Sequence, residues 1–206
     1  MASETEICNL ALGHLGAGKE IANLETDRSQ EAAACRRFYD DCRDATLRDF
    51  SWPFATKIAP LGLVTDSEDD DHPTEEWTYQ YQVPSDSLMF RKIQSGTRND
   101  SRGTKVPYRL AYGDSGTVVF TDKEDAVGEY TIRVDDPLRY SSDFVMALSL
   151  RLASYIAPQV TGGDPFKMGD RALKLYEFEI SKARASALNE EQPEQEPDSE
   201  FISTRE

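Results

Sequence analysis

The chain has 206 residues, 38% hydrophobic and 10% aromatic, enough for one domain with its own core or a domain carrying an insertion. No apolar run approaches the ~20 residues of a membrane helix, and Met1-Ala2-Ser3-Glu4 has neither the basic start nor the apolar stretch of a secretory signal. The net charge of −15 is local: Asp66–Glu76 holds seven acids and no Lys or Arg, and Asn189–Glu206 holds seven acids against Arg205. Removing seven charges for the first and six for the second leaves −2 for the rest. Both segments read as solvated stretches, as partner-binding arms or as regions that repel DNA.

In chain order, Ser3 and Glu6 form a capping-box pattern that opens a helix with Ile7, Leu10, Ala11 and Leu15 on one face. Gly16 and Gly18 stop it, and Ile21 and Leu24 make a short apolar link. A long helix is expected next, capped by Asp27 with Gln30 completing a capping box. Ala32, Cys35, Tyr39, Cys42 and Thr46 share one face, widened by Phe38, Ala45 and Leu47. Arg36, Arg37, Asp40, Asp41, Arg43, Asp44, Arg48 and Asp49 fill the other, with pairs such as Arg36 and Asp40 at helical-neighbour spacing. Pro53 lacks an amide hydrogen and pushes Trp52 out of helical geometry, so Trp52, Pro53 and Phe54 form a structural corner. The cysteine count is odd, and Cys35 and Cys42 lie two turns apart, roughly 10 Å along the axis, too far for a disulfide. A reducing cytoplasm is expected.

After the corner the pattern alternates. Phe54–Val64, interrupted by Pro60 and Gly62, reads as one edge or irregular strand. Trp77, Tyr79, Tyr81 and Val83 read as a half-buried strand ending at Pro84, and Leu88–Ile93 as the next. Tyr108, Leu110 and Tyr112 alternate before a turn at Gly113–Gly116, with Thr117–Thr121 as the return strand. Tyr130, Ile132 and Val134 follow. Two helices finish the chain. Ser141 or Ser142 caps the first, with Phe144, Ala147, Leu148, Leu152, Tyr155 and Ile156 inward. Asp164 caps the second with Pro165 in its first position, and Met168, Ala172, Leu175, Tyr176, Glu179 or Ile180, and Ala183 lie along its buried face. The expected fold class is α+β: a four-helix bundle from 1–55 and 138–188, an inserted antiparallel β-sheet subdomain of four to six strands over 56–137, and an extended acidic C-terminal arm over 189–206.

The chemistry is sparse. Gly13–Lys19 matches most of a phosphate-binding loop, but Glu20 stands where a hydroxyl should, and a helix precedes it where a strand is needed. Gly113-Asp114-Ser115-Gly116 resembles a serine-nucleophile turn, yet a triad needs a histidine. The two available are His14 near a helix end and His72 in the acidic loop. No metal-ligand spacing stands out; weak calcium binding by the acidic loop is the alternative there. No catalytic residue and no cofactor are expected. Arg91, Lys92, Arg98, Arg102, Lys105 and Arg109 face only Asp100 in their span. They read as a solvated loop or as one that meets phosphate or an acidic partner.

Several of these residues together resemble the head-to-tail adaptor (connector), or tail tubular protein A, family of tailed bacteriophages. They are Leu10, Leu12-Gly13, Leu15-Gly16 and Ile21, then Ser29, Ala32, Cys35, Tyr39, Arg43-Asp44 and Leu47. Above all, Trp52-Pro53-Phe54-Ala55 resembles that family's helix ending in an aromatic corner. Tyr79-x-Tyr81-x-Val83-Pro84-x-Asp86 and Phe144, Ala147-Leu148 and Leu152-Ala153 continue the likeness, which spans Ile7 to about Ala157. The acidic loop, the basic loop and the tail lie outside it.

The resemblance implies a structural virion protein at the head–tail interface, made in the host cytoplasm. It implies a dodecameric ring below the portal protein, contact with a tail tube or nozzle protein, and passage of double-stranded DNA through the channel without tight binding. It gives the chain no membrane partner and no enzymatic step. The tail from Asn189 could reach roughly 60 Å extended, so Phe201, Ile202 and Arg205 are the candidate portal contacts, folding on binding. Arg98, Arg102 and Lys105 are the candidate tail- or DNA-facing loop. The competing readings are a phage assembly factor absent from the virion and a carboxylate-based hydrolase.

Overall fold

The computed structural model describes residues 3–69, 73–96, 105–114 and 116–190. Helix α1 (Glu4–His14) begins with the reciprocal box: the Glu6 amide donates to Ser3 Oγ (3.2 Å), and the Ser3 amide donates to Glu6 Oε2 (2.9 Å). It ends in a Schellman turn. Gly16 takes φ +70°, its amide bonds to the Gly13 carbonyl, and the Ala17 amide reaches the Leu12 carbonyl.

Helix α2 (Gln30–Asp49) starts two residues later than expected. Ser29 is its cap, and the Asp27 carboxylate instead accepts from the Ser29 amide at 2.8 Å, turning the chain into the helix. Ala32, Cys35, Tyr39, Cys42, Thr46 and Leu47 are all buried, as the spacing requires. Arg36 does not pair with Asp40; its guanidinium donates to the carbonyls of Leu24 and Asp27 and pins the incoming link.

Helices α3 (Ser142–Val160) and α4 (Pro165–Glu190) follow the β region. Ser141 caps α3, and its Oγ accepts from the Phe144 amide. From Phe144 to Ala157, α3 buries Ala147, Leu148, Ser149, Leu150, Leu152, Ala153 and Ile156, residues on more than one face. A helix apolar on several faces belongs in the middle. The other three helices accordingly pack against α3. Gly169 lets α4 come close, since a Cβ there would sit 3.2 Å from the Ser154 carbonyl. Tyr155 and Leu175, expected inward, are exposed at the flanks of this contact.

Between α2 and α3 the described residues form seven strands in two antiparallel sheets. The first is ordered β1 (Thr56–Pro60), β7 (Val127–Ile132), β4 (Ser87–Ile93). The second is ordered β2 (Gly62–Asp66), β3 (Tyr79–Gln82), β6 (Gly116–Thr121), β5 (Arg109–Gly113). The apolar run expected as one strand is two. Pro60 and Gly62 break it, the buried Leu61 sits at the break, and its amide donates to the Ala126 carbonyl at 2.9 Å. β1 then joins β7, while β2 joins β3 in the other sheet.

The sheets close over a second core made by Leu61, Tyr81, Val83, Phe90, Ile93, Val119, Ala126 and Tyr130. Gly128 lies against it: a Cβ there would come within 2.8 Å of both Leu61 Cδ2 and Phe90 Cε2. The fold is therefore α+β, with four helices grouped on α3 and two antiparallel sheets that carry their own core. It is not a four-helix bundle with a small inserted subdomain. The strand material is larger than the alternating runs suggest, because the broken run serves both sheets. The expected arm from Asn189 overlaps the end of α4, which runs to Glu190; residues 191–206 lie outside the described residues.

Candidate functional site

The aromatic corner Trp52-Pro53-Phe54-Ala55, on which the adaptor likeness chiefly rests, follows directly on the C-terminal end of α2. A helix leaves its last carbonyls without intrahelical partners, and here three side chains from outside the helix take them. The Trp52 indole donates to the Thr46 carbonyl (2.9 Å). Arg91, from β4, donates to the carbonyls of Leu47 (3.0 Å) and Phe50 (2.9 Å). Arg184, from α4, donates to the Asp49 carbonyl (2.9 Å). Two of the three are cations, which suits the negative end of the helix dipole. Burial lowers the Arg91 pKa from its ordinary value.

Trp52 is extended, as a residue before proline should be, and Pro53–Ala55 form one 3-10 turn. The corner delivers its aromatics into one cluster. Trp52 meets Phe50 edge-on at 4.9 Å and Phe144 of α3 at 5.2 Å between ring centres. Phe54 meets Phe144 at 5.2 Å, and Tyr140 meets Phe144 at 4.7 Å. The predicted Trp52, Pro53 and Phe54 thus stand together. Beside them the Asp49 carboxylate accepts from Tyr176 (2.6 Å) and from Arg151, joining α2, α3 and α4 at one point.

A second joint lies one turn earlier. Arg43, counted above among the solvent-facing charges, has a side chain only 6% exposed, and it bonds Asp40 (3.0 Å), Asp44 (3.1 Å) and Asp135 (3.1 Å). Burial opposes its charge, but the three carboxylates outweigh that and raise its pKa. Arg133 also pairs with Asp44. The segment leaving β7 is thereby tied to α2. The signal was in the spacing: Arg43 is four residues from both Tyr39 and Leu47, so it sits at the edge of the buried stripe.

Of the expected basic patch, the described Arg91, Lys92 and Arg109 each take a different partner. Arg91 caps α2, Lys92 lies 3.4 Å from Glu129, and Arg109 lies 3.4 Å from Glu76. Lys105 is exposed; Arg98 and Arg102 lie outside the described residues, as do Phe201, Ile202 and Arg205.

The phosphate-loop motif resolves as the end of a helix. The amides of Gly16 and Ala17 are spent on carbonyls of α1, so the Gly13–Lys19 stretch closes a helix and presents no phosphate cradle. Gly113 pairs with Gly116 where β5 passes to β6, and Ser115 lies outside the described residues, as does His72. His14 Nε2 lies 3.2 Å from Ser149 Oγ, but Ser149 is fully buried and donates to the Met146 carbonyl, which leaves it no path to a substrate. Cys8, Cys35 and Cys42 are free and buried, and burial pushes the Cys42 thiol up to about 12. Among the described residues no group of three or more His, Cys, Asp or Glu side chains could hold a metal ion, and no helix is long and apolar enough to cross a membrane.

Exposed apolar side chains mark several surfaces, two of them on α4 and along β5. On α4, Phe166 (76% exposed) and Leu173 lie to one side of the buried stripe Ala172, Tyr176, Ile180 and Ala183. Leu175 and Phe178 (64% exposed) lie to the other. Phe166, Leu173, Tyr155, Pro158 and Pro165 also line a hollow of about 200 Å³. A larger groove of about 680 Å³ opens between β4 and β5, with Pro84, Met89, Leu110, Tyr112 and Arg48 in its walls. The sequence did not single out either surface, because its alternation and helical spacing assign a face without saying whether that face is covered. Neither a protein-family model nor a curated protein matches the chain.

Proposed function

We propose that this chain is a structural head-to-tail adaptor of a tailed bacteriophage, forming a ring between the portal protein and the tail tube or nozzle protein. The observation that carries the reading is the pair of apolar flanks on α4. A closed ring needs two different surfaces on each subunit, each complementary to the other. Phe166 with Leu173 on one side, and Phe178 with Leu175 on the other, supply two such surfaces on a single helix. Exposed aromatics of this kind mark protein contacts.

Two further features support it. The Trp52-Pro53-Phe54-Ala55 corner, on which the resemblance chiefly rests, packs on Phe144 of α3, and beside it Arg91 and Arg184 tie the end of α2 to β4 and α4, as a rigid ring subunit requires. The negative charge is confined largely to two segments, so the remainder is nearly neutral; a channel without clustered cations would not brake DNA through phosphate contacts. In this reading the ring is dodecameric and the chain performs no catalysis. Phe201, Ile202 and Arg205 contact the portal, and Arg98, Arg102 and Lys105 face the tail or the passing DNA.

Quantitative mass spectrometry of purified virions tests the proposal through the copy number of this chain relative to the portal subunit. One copy per portal subunit is the expected result. Absence from finished particles would sink it and leave the assembly-factor reading, and after that the hydrolase reading, to be tested.

A further inference from the structure

The groove between the two sheets has a free strand edge in its wall. β5 ends its sheet, and among the described residues no strand pairs with its outer side. The orientation of its backbone follows from the neighbouring ladder. The Thr117 carbonyl accepts from the Val83 amide (3.0 Å), so Thr117 faces β3 and turns away from β5. Thr117 is the register partner of Tyr112. In an antiparallel ladder such a pair exchanges no hydrogen bonds. The N–H and C=O of Tyr112, and by alternation those of Leu110, therefore point outward.

Proteins usually guard such an edge with a proline, an inward lysine or a bulge. Leu110–Gly113 has none of these; the register with β6 runs without a shift, and only Arg109, at the first position, carries charge. The side chains invite a partner as well. Tyr112 is 85% and Leu110 44% exposed, on the same face of the strand. Among the described residues, the groove they line carries one charge, the Arg48 guanidinium, and no carboxylate.

We infer that this groove takes the chain's own C-terminal segment, Ser199–Arg205, as an added strand along β5. Three observations select that occupant. The first is reach. Arg184 of α4 is bonded to Asp49, next to Arg48 in the groove wall, and α4 ends six residues later at Glu190. Residues 191–198 can span roughly 25 Å when extended, and α4 adds only about 9 Å beyond Arg184. The second is charge: residues 191–206 hold six acids against Arg205, which complements a groove whose one charge is positive. The third is composition. Phe201-Ile202-Ser203-Thr204 is the apolar, β-branched part of an otherwise acidic stretch, and strand addition draws affinity from main-chain bonds and selectivity from alternate side chains. Phe201 and Ser203 would then share one face of the added strand and Ile202 and Thr204 the other. The inference concerns the free chain and does not depend on the adaptor reading.

Hydrogen exchange on the full chain tests it, comparing wild type, the double variant Phe201→Asp/Ile202→Asp, and Arg48→Glu. The outward amides of Leu110 and Tyr112 should exchange at least about tenfold faster in the double variant, while β3 and β6 stay unchanged. Arg48→Glu should speed them in the same direction through the tail's acids. Equal exchange of these two amides in wild type and the double variant overturns the proposal. Protection that grows with protein concentration overturns the same-chain occupant and assigns the groove to the tail of a second copy.

Discussion

Arg91 Nη2 lies 3.0 Å from the Leu47 carbonyl, so a strand residue caps a helix 44 positions away in the chain. The same guanidinium donates to the Phe50 carbonyl and, through Nε, to Thr131 Oγ1 at 2.8 Å. Replacing Arg91 with alanine strands two carbonyls at the end of α2. The expected loss is about 2–4 kcal/mol, read from the midpoint of urea unfolding. Arg91→Lys should recover less than half of it, because an ammonium cannot reproduce the fork. Full recovery by lysine would mean that charge alone matters here.

His14 makes stability depend on pH in a defined direction. Burial lowers its pKa from the ordinary value, so the folded chain holds the imidazole neutral, 3.2 Å from Ser149 Oγ. The unfolded chain takes up a proton near pH 6.5. The contribution is intact above that pH and is lost as pH falls from there through the lowered folded value. Urea midpoints at pH 7.5 and pH 5.5 should therefore differ, with the lower pH less stable. The difference should shrink in His14→Gln. An unchanged difference in that variant would assign the pH effect to other groups.

Gly128 tests the inter-sheet core without touching the helices. A methyl group there meets Leu61 and Phe90 at 2.8 Å, and both belong to that core. Gly128→Ala should cost about 1–3 kcal/mol through overpacking, and Gly128→Val more. Thermal unfolding followed by near-ultraviolet circular dichroism reads the loss. An unchanged melting temperature would mean that the two sheets separate easily.

What the sequence made legible follows from local rules. Ser3 and Glu6 announced the start of α1, because the capping box is satisfied within four residues. Tyr79 and Tyr81 announced β3, and Pro53 announced the corner. The start of α2 was harder. Asp27 and Ser29 both offer a capping oxygen, and only the turn made by Asp27 decides between them. The split at Leu61 was not legible either: Pro60 and Gly62 mark an interruption equally well within one strand or between two. Its resolution depends on β7 and β3, which lie about 70 and 20 residues away. Arg43 is a mixed case: its spacing from Tyr39 and Leu47 places it at the edge of the buried stripe, but one of its three carboxylate partners, Asp135, comes from beyond the sheets.

The central position of α3 also sets an order of events during synthesis. The apolar stripe of α2 is complete at Asp49, but the helix that covers it begins at Ser142. At ribosomal rates of roughly 5–20 residues per second, that gap of roughly 90 residues lasts about 5–20 s. Throughout it Cys35, Tyr39, Cys42 and Leu47 lack their main cover. The sheets, by contrast, contain every residue of their own core by Ile132. The nascent chain can therefore settle its strands first and close its helices last, and a stalled ribosome before Ser142 would present α2 to whatever binds exposed apolar surface.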